Sequence, residues 1–376
     1  MNELRITDGR GRRVEEVAGV VVHSSGGVPA GWASVLNMLN PNQHLLDYGS
    51  WQGIAALYHS IKGGRAIFAS RFSSELKQVE NNISANSVDI SIETTFPPQG
   101  SYDTVVASFP SSGLEMLVAC TAGNLVPEGR LLIPVADTAD TSAGKAKLSL
   151  YFESVAMENG VWVCANPRNK TNELPWDTVV VKAREQEAEL ETLPVLFSPG
   201  GLDEGSRFML EEAAIPTGAR VLDLGCGWGV VGIVASLLGA GEVLYIDDDM
   251  AAVMATQRNL QKNNLAGSVL HSHDPHVLPG TFDVILTNPP YHTDFGVAKT
   301  FLEFAARRLR PGGWLYVVVR RRGWYENKIK ALFGGCRVTS RAGYWLLSAR
   351  QSDVKKARVK TKTTRKHLKR LQERRR

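Results

Sequence analysis

Short apolar runs alternate with amphipathic stretches through the second half of the chain, which is the pattern of a parallel sheet covered by helices. Ser206 is placed to cap a helix that begins near Arg207. The strands predicted after it are 219–225, 242–247, 268–273, 282–287 and 314–319, and the helices are 229–240, 250–264 and 298–310. This alternation predicts an α/β domain with a doubly wound, mostly parallel sheet.

The first half repeats the same pattern more weakly. "HLLDYGSWQG" (44–53) parallels "RVLDLGCGWG" (220–229), "YDTVVASFP" (102–110) parallels "FDVILTNPP" (282–290), and "NLVPEGRLLIPV" (124–135) parallels "RLRPGGWLYVVV" (308–319). Three matches in one order at similar spacings indicate an internal duplication. The first copy lacks the acidic end of the second strand and ends its fourth strand in "SFPS" (108–111), so we expect it to keep the fold and to have lost the site.

The predicted organisation is therefore two tandem Rossmann-like domains with a degenerate first copy. We expect the degenerate domain over 1–181, a linker over 182–194, the active domain over 195–350 and a tail over 351–376. No apolar run is long enough to span a bilayer, and the four cysteines are far apart with no C-x-x-C pair. These features favour a cytoplasmic protein, which we expect to be monomeric, without a structural metal or a membrane partner.

The formal net charge of +5 is unevenly distributed. Residues 351–376 hold 12 Lys or Arg and 2 Asp or Glu, so the rest of the chain is acidic overall. A segment so basic and so poor in apolar groups cannot build a core, and its natural partner is a polyanion such as nucleic acid. A solubilising tail and a tail that binds a membrane surface are the alternatives.

A glycine-rich turn follows the first strand of the second domain. Asp223, Gly225, Gly227 and Gly229 lie between a predicted strand and a predicted helix, where glycines allow a cofactor to approach the backbone. The Asp223 carboxylate could order the turn or meet the amino end of the cofactor. Dinucleotide-binding proteins use similar turns, so the turn alone is a weak signal.

Acidic residues also follow the second and third strands. Asp247 ends the second strand, where a carboxylate accepts hydrogen bonds from ribose hydroxyls in dinucleotide folds. We expect Asp248 to be its neighbour near the adenine, although Asp248 or Asp249 could instead cap the next helix. Asp274 lies in "HSHDPH" (271–276) and is a candidate adenine contact. The three histidines of that segment favour a loop with an Asx turn over a metal site.

The segment Asn288-Pro289-Pro290-Tyr291 follows the predicted strand 282–287, at the edge of the sheet where ligands bind in α/β folds. The Asn288 amide oxygen and the Pro289 carbonyl are acceptors on a stiff backbone, and they suit a planar amino group on a flat ring. Accepting its two N–H bonds would aim the nitrogen lone pair at a methyl donor. Tyr291 would stack on the base, which must first be flipped out of a stem.

Together these motifs resemble a class I S-adenosylmethionine-dependent methyltransferase that acts on an exocyclic amine. "FSPGGLDEGSRFML" (197–210), "VLDLGCGWG" (221–229), "TNPPYH" (287–292) and "RLRPGGWLYVV" (308–318) resemble more narrowly the bacterial ribosomal RNA guanine-N2 methyltransferases, namely the small-subunit methyltransferase C family and its large-subunit relative G. That resemblance implies an inactive first domain, an active second one, and ribosomal RNA or a ribosomal subunit as partner. It also implies that Phe197, Asp203 and Gly205 lie beside the cofactor and the target base.

Three features depart from this family or stay open. The family usually has Phe where this chain has Tyr291, and tyrosine is commoner in adenine and glutamine N-methyltransferases. His292 matches the family pattern, but it could equally be a loop histidine that bonds nearby backbone. The cluster Arg320-Arg321-Arg322 after the predicted strand 314–319 could contact RNA near the pocket or be a solvated cluster.

Three classes of function remain after the motifs are combined. The leading hypothesis is methyl transfer to guanine N2 in ribosomal RNA, with the small subunit favoured. The second is transfer to adenine N6 or to a protein glutamine amide. The third is an RNA-binding assembly factor with an idle methyltransferase fold, although intact Asp223, Asp247 and Asn288 argue against it.

Overall fold

The first domain combines a small three-stranded sheet with a seven-stranded sheet that carries helices on its faces. The computed structural model describes residues 3–6, 13–24, 27–108, 113–135, 141–168, 173–290 and 295–352. Strands of the first domain are β1 (Glu3–Arg5), β2 (Arg13–Val17), β3 (Val20–Ser24), β4 (Leu45–Tyr48), β5 (Ala66–Ala69), β6 (Ser91–Glu93), β7 (Tyr102–Ala107), β8 (Leu125–Pro134), β9 (Phe152–Glu158) and β10 (Val161–Pro167). Helices are α1 (Trp32–Met38), α2 (Ile54–Ile61), α3 (Ser73–Asn86), α4 (Leu114–Thr121) and α5 (Thr141–Leu148).

The second domain begins with a β-hairpin and continues into another seven-stranded sheet. The hairpin is β11 (Asp177–Ala183) and β12 (Gln186–Thr192). The sheet strands are β13 (Arg220–Leu224), β14 (Glu242–Asp247), β15 (Ser268–His271), β16 (Phe282–Thr287), β17 (Leu309–Val319), β18 (Arg337–Arg341) and β19 (Tyr344–Arg350). The helices are α6 (Glu204–Glu212), α7 (Val230–Leu237), α8 (Met250–Lys262), α9 (Phe295–Arg308) and α10 (Arg322–Phe333).

Both large sheets have the same topology. Their orders are β6-β5-β4-β7-β8-β10-β9 and β15-β14-β13-β16-β17-β19-β18. In each sheet the first five strands run parallel, and the sixth, β10 or β19, runs antiparallel to both of its neighbours. The predicted tandem pair of Rossmann-like domains is confirmed. In each sheet the chain reverses beside the central strand, β4 or β13, which is where a doubly wound fold opens its ligand crevice.

The duplication extends to individual hydrogen bonds. Asp47 in β4 and Asp223 in β13 occupy the same place, and each carboxylate accepts a backbone N–H from the following helix at 2.8 Å, from Ala56 and from Gly232. Burial raises the pKa of Asp47 to about 6 and that of Asp223 to about 8. Asp223 therefore orders the turn and the start of α7, which was one of its two expected roles.

The segment 182–194 is not a linker, because most of it forms the second half of the hairpin. Ala188, Leu190 and Thr192 face inward and are buried, while glutamates alternate with them on the outside. This two-residue period is that of a half-buried strand, which the high charge of the segment disguised. The hairpin packs against α6, α7 and α8, so it belongs with the second domain. Buried Asn259 ties it there by accepting from Glu191 N–H at 2.6 Å and donating to Glu191 O at 2.8 Å.

The two domains meet through a contact that is symmetric in their equivalent positions. The strand registers pair Asp47 with Phe68 and Asp223 with Tyr245, which makes Phe72 the counterpart of Asp249. These two residues form an antiparallel bridge with each other. Two backbone hydrogen bonds flank it, Met250 N–H to Arg71 O at 2.7 Å and Ser73 N–H to Asp248 O at 3.0 Å. In each hydrogen bond the donor comes from one domain and the acceptor from the other, and equivalent positions of the two domains play the same part. This is the symmetry of a two-fold dimer interface.

None of the helices in the described ranges is long and apolar enough to cross a membrane.

Candidate active site

The glycine turn presents an open backbone at the carboxyl end of β13. Gly227 has a φ of 55°, and a methyl group added to it would meet no other described atom within 4 Å. Its N–H donates to Asp247 Oδ2 at 2.8 Å. Gly229 is instead packed closely against the protein, because a Cβ there would lie 2.8 Å from the Thr256 side chain. The turn thus leaves one glycine exposed to a ligand and uses another for close packing.

Asp247 lies at the end of β14 and joins the glycine turn to the next loop. One carboxylate oxygen accepts from Gly227, and the other accepts from Asp249 N–H at 3.0 Å. Burial raises the pKa of Asp247, and the two backbone donors oppose that shift. The carboxylate is held at the strand end expected for a ribose-binding acid.

Asp248 does not face the site as expected, because it is held by the first domain. Its carboxylate accepts from Ser73 Oγ at 2.7 Å, from Ser74 N–H at 2.8 Å and from Ser74 Oγ at 2.5 Å. The negative charge lies at the first turn of α3, where helix N–H groups favour an anion. Asp249 is the residue that caps α8, and it accepts from Ala251 N–H at 3.0 Å.

The polar side chains of the loop after β15 make hydrogen bonds with nearby protein groups. Asp274 accepts from His276 N–H at 2.9 Å and caps a 3₁₀ turn at Pro275–Val277, as an Asx turn would. His271 Nε2 lies 2.8 Å from Asp248 O, and His273 Nδ1 lies 3.2 Å from Ser73 Oγ, so both contact the domain junction. In the part of the chain that the structure describes, no group of three or more His, Cys, Asp or Glu could hold a metal ion.

Asn288 is oriented by two residues at the start of α6, the N-cap Asp203 and Ser206 of the first turn. Its Nδ2 donates to Asp203 Oδ2 at 3.1 Å and to Ser206 Oγ at 3.0 Å. A carboxylate can only accept, so the amide nitrogen must face Asp203 and the amide oxygen must face the other way. Asp203, and not Ser206 as expected, is the N-cap of α6, because Asp203 Oδ2 accepts from Ser206 N–H at 3.0 Å. The same carboxylate thus caps the helix and fixes the amide.

Sequence reasoning missed the residues that hold Asp203 from the other side. Tyr344, the first residue of β19, donates its hydroxyl to Asp203 Oδ1 at 2.8 Å. Arg320 donates to the Tyr344 hydroxyl oxygen at 2.8 Å and places its guanidinium 4.8 Å from the ring centroid. A Cβ at Gly205 would lie 2.7 Å from the Tyr344 ring, so the glycine makes room for this contact. Since 141 positions separate Tyr344 from Asp203, no local pattern could reveal the pair.

The remaining candidates lie around this network. Phe197 is 54% exposed, and its carbonyl accepts from Trp228 Nε1 at 3.0 Å, which ties it to the glycine turn. Pro289 is buried and Pro290 is exposed at the end of β16. Tyr291 and His292 lie outside the described residues. So do the tail from 353 onward and residues 109–112, which follow the fourth strand of the first domain.

Most of the second domain is similar to a known protein family. Residues 187–348 match the methyltransferase small domain family. The chain is 34% identical over 180 residues to the ribosomal RNA small subunit methyltransferase C of Sodalis glossinidius, covering 46% of this chain and 51% of that one. It is 30% identical over 252 residues to the ribosomal RNA large subunit methyltransferase G of Shewanella baltica, covering 63% of this chain and 62% of that one. The chain thus spans about half the length of the small-subunit relative that it matches.

One solved structure matches both domains. It is a T. thermophilus 16S rRNA N2 G1207 methyltransferase in complex with AdoMet and guanosine, with a TM-score of 0.74 and 23% identity over 91% of this chain and 98% of that one. At this identity the likeness shows the tandem fold. The resemblance that the motifs predicted is confirmed by the family match and the two named groups of relatives.

Proposed function

We propose that this chain, whose residues 187–348 match the methyltransferase small domain family, transfers a methyl group from S-adenosylmethionine to the N2 amine of a guanine in ribosomal RNA. The observation that carries the proposal is the fixed amide of Asn288. Both of its N–H bonds are committed, to Asp203 and to Ser206, so the amide is held in one orientation, with its oxygen turned away from the Asp203 carboxylate. The relatives named as small-subunit and large-subunit ribosomal RNA methyltransferases support RNA as the substrate.

The residues at the glycine turn fit S-adenosylmethionine. Gly227 offers an open backbone face, and the Asp247 carboxylate lies at the neighbouring strand end, where it can accept from ribose hydroxyls. The cofactor supplies an electrophilic sulfonium methyl when it is bound. The solved relative of the same fold holds AdoMet together with guanosine, which supports this choice.

The side chains contribute orientation more than acid–base chemistry. A guanine amine is a poor nucleophile because its lone pair is delocalised into the ring. Accepting its N–H bonds at Asn288 Oδ1 and at the Pro289 carbonyl favours a pyramidal nitrogen whose lone pair is aimed at the methyl carbon. The nitrogen would gain the methyl group as the bond of that group to the sulfonium sulfur breaks and a neutral thioether leaves, and it would release one proton to water. Holding the Asn288 acceptor rigidly before the reaction lowers the reorganisation needed in the transition state.

The small subunit is the favoured source of the RNA, since the relatives with the higher identities are small-subunit enzymes. The basic tail fits the same proposal, because a segment with 12 Lys or Arg among its residues complements a polyanion. It would hold the RNA loosely while the pocket selects the base.

The test is to incubate the full chain with methyl-labelled S-adenosylmethionine and separated ribosomal RNAs or subunits, and to identify the labelled nucleoside. N2-methylguanosine in small-subunit RNA is the expected product. N6-methyladenosine would instead favour the adenine alternative, and label in protein glutamine would favour the amide alternative. Absence of transfer to all of these substrates, with cofactor still bound, would favour the non-enzymatic assembly factor.

A further inference from the structure

An exposed aromatic pair lies beside the site, and neither the cofactor nor the target amine accounts for it. Phe295, the first residue of α9, is 46% exposed although it is a large apolar side chain. Its ring stacks on Trp324 of α10, with centroids 4.5 Å apart and planes inclined by 22°. Buried Tyr325 supports the pair from below, with its ring edge-on to Phe295 at 6.1 Å and to Trp324 at 5.1 Å.

This pair is connected to the active site by two elements. Helix α9 passes the glycine turn, since the Phe301 ring lies 3.3 Å from the position of a Cβ on Gly225. Phe295 lies about 9 Å along the helix axis from Phe301, at a rise of about 1.5 Å per residue. On the other side, Trp324 lies in the first turn of α10, which begins two residues after Arg320, the donor to Tyr344 in the site.

Exposed cations lie on the two helices that carry the pair. Lys299 is exposed one helical turn after Phe295 and therefore lies on the same face of α9. Arg321 is exposed at the N-terminus of α10, three residues before Trp324. Arg322 is also exposed, with its guanidinium 4.4 Å from the Trp345 ring centroid and 3.5 Å from Glu326. An exposed aromatic face bordered by cations complements a nucleobase that is joined to phosphates.

We propose that the Phe295–Trp324 pair is a stacking site for an unpaired RNA base next to the methylated nucleotide, with Lys299 and Arg321 contacting its phosphates. The inference rests on the proposed function in taking RNA as the substrate. It assigns sequence-tolerant affinity to a surface outside the pocket, because every base has a flat face that can stack. It also gives the arginine cluster at 320–322 a divided role. Arg320 supports Asp203 through Tyr344, and Arg321 faces the RNA.

The test measures binding of the full chain to a labelled single-stranded RNA by fluorescence anisotropy, with wild type, Phe295→Ala, Phe295→Leu and Phe295→Trp. Stacking on one aromatic predicts that Phe295→Ala weakens binding by about 5-fold to 100-fold. Phe295→Leu should stay weak, because it keeps apolar packing on Trp324 without a flat face. Phe295→Trp should restore binding. Leu150→Ala is the matched control, since Leu150 is a 71% exposed apolar side chain of the first domain.

The salt dependence separates stacking from charge. Phe295→Ala should leave the slope of log affinity against log salt unchanged, whereas Lys299→Ala should reduce that slope by about 1. Wild-type affinity in Phe295→Leu would overturn the proposal and assign the pair to helix packing. The proposal would also be overturned if Phe295→Ala lowered the affinity for S-adenosylmethionine by the same factor as the affinity for RNA. A loss seen with assembled subunits but not with naked RNA would overturn it in favour of a protein contact.

Failure of the proposed function is distinguishable from failure of this inference. RNA binding is measured without methyl transfer, so a wild-type chain that makes no N2-methylguanosine would overturn the function and leave the stacking result to be judged separately.

Discussion

The Asn288 amide donates to the Asp203 carboxylate at 3.1 Å, although the two residues lie 85 positions apart. One belongs to the turn after β16 and the other is the N-cap of α6. Asp203 is itself held by Tyr344 and by Ser206 N–H, so the amide is attached to a carboxylate that has little freedom to move. A rigid acceptor is what methyl transfer to a weak amine nucleophile requires.

Asn288→Ala should reduce methyl transfer by at least about 100-fold, comparable with the loss of a preorganised polar group from other active sites. Binding of S-adenosylmethionine, measured by calorimetry, should persist because the glycine turn and Asp247 are untouched. The matched control is Asn327→Ala, which removes an exposed asparagine amide from α10. Transfer at the wild-type rate in Asn288→Ala would remove the amide from the mechanism.

Tyr344→Phe tests whether the hydrogen bond from the Tyr344 hydroxyl to Asp203 matters for the reaction. The ring beside Gly205 stays, but the hydroxyl that donates to Asp203 and accepts from Arg320 is lost. We expect kcat to fall roughly 10-fold with unchanged cofactor affinity, together with a loss of about 1 kcal/mol in the free energy of unfolding. A purely structural role would lower the melting temperature alone.

The control for that variant is Tyr58→Phe, which removes a hydroxyl bonded to Ala18 O at 3.2 Å in the first domain. It should cost a similar free energy of unfolding and leave kcat unchanged. Equal kcat in Tyr344→Phe and Tyr58→Phe would show that Asp203 needs no partner on that side.

Much of the second domain could be predicted because each signal was local. The strands at 242–247 and 282–287 have the predicted bounds, since a buried parallel strand is a continuous apolar run. The positions of Asp247 and Asn288 at or after strand ends make them candidates, because polar side chains meet there at one edge of a sheet. Asp203 is a candidate only through the family resemblance.

The errors arose where a distant part of the chain decides the outcome. Asp248 was assigned to the cofactor because it follows Asp247, but its partners, Ser73 and Ser74, lie in the other domain. Tyr344 begins an ordinary strand, and only the return of β19 beside β17 brings it to Asp203. The segment 182–194 looked like a linker because its glutamates hid the alternation of buried residues.

Ser74→Ala tests whether the domain junction supports the cofactor site. Ser74 Oγ donates to Asp248, the residue next to Asp247, so its loss should loosen the turn that carries the ribose-binding carboxylate. We expect the dissociation constant of S-adenosylmethionine to rise about 3-fold to 10-fold, which corresponds to about 0.7 to 1.4 kcal/mol, the range of one ordinary hydrogen bond. Affinity for RNA should stay the same.

Ser84→Ala is the control for that substitution, since Ser84 lies on the same helix and donates only to the local carbonyl of Glu80 at 3.0 Å. Cofactor affinity in Ser74→Ala equal to that in Ser84→Ala would mean that the junction joins the domains without affecting the site.

Deletion of residues 353–376 tests the basic tail. The structure sets the cut, because Gln351 still belongs to the domain: its N–H donates to Gly313 O at 2.8 Å, and its O accepts from Gly312 N–H at 2.9 Å. The removed segment carries all 12 of the Lys and Arg of 351–376.

If these cations contact phosphates, the deletion should weaken RNA binding and flatten the dependence of log affinity on log salt. Transfer to a short RNA at saturating concentration should be retained, because the pocket is intact. An unchanged salt slope, measured by titration over about 50 to 200 mM salt, would show that the tail does not bind the RNA.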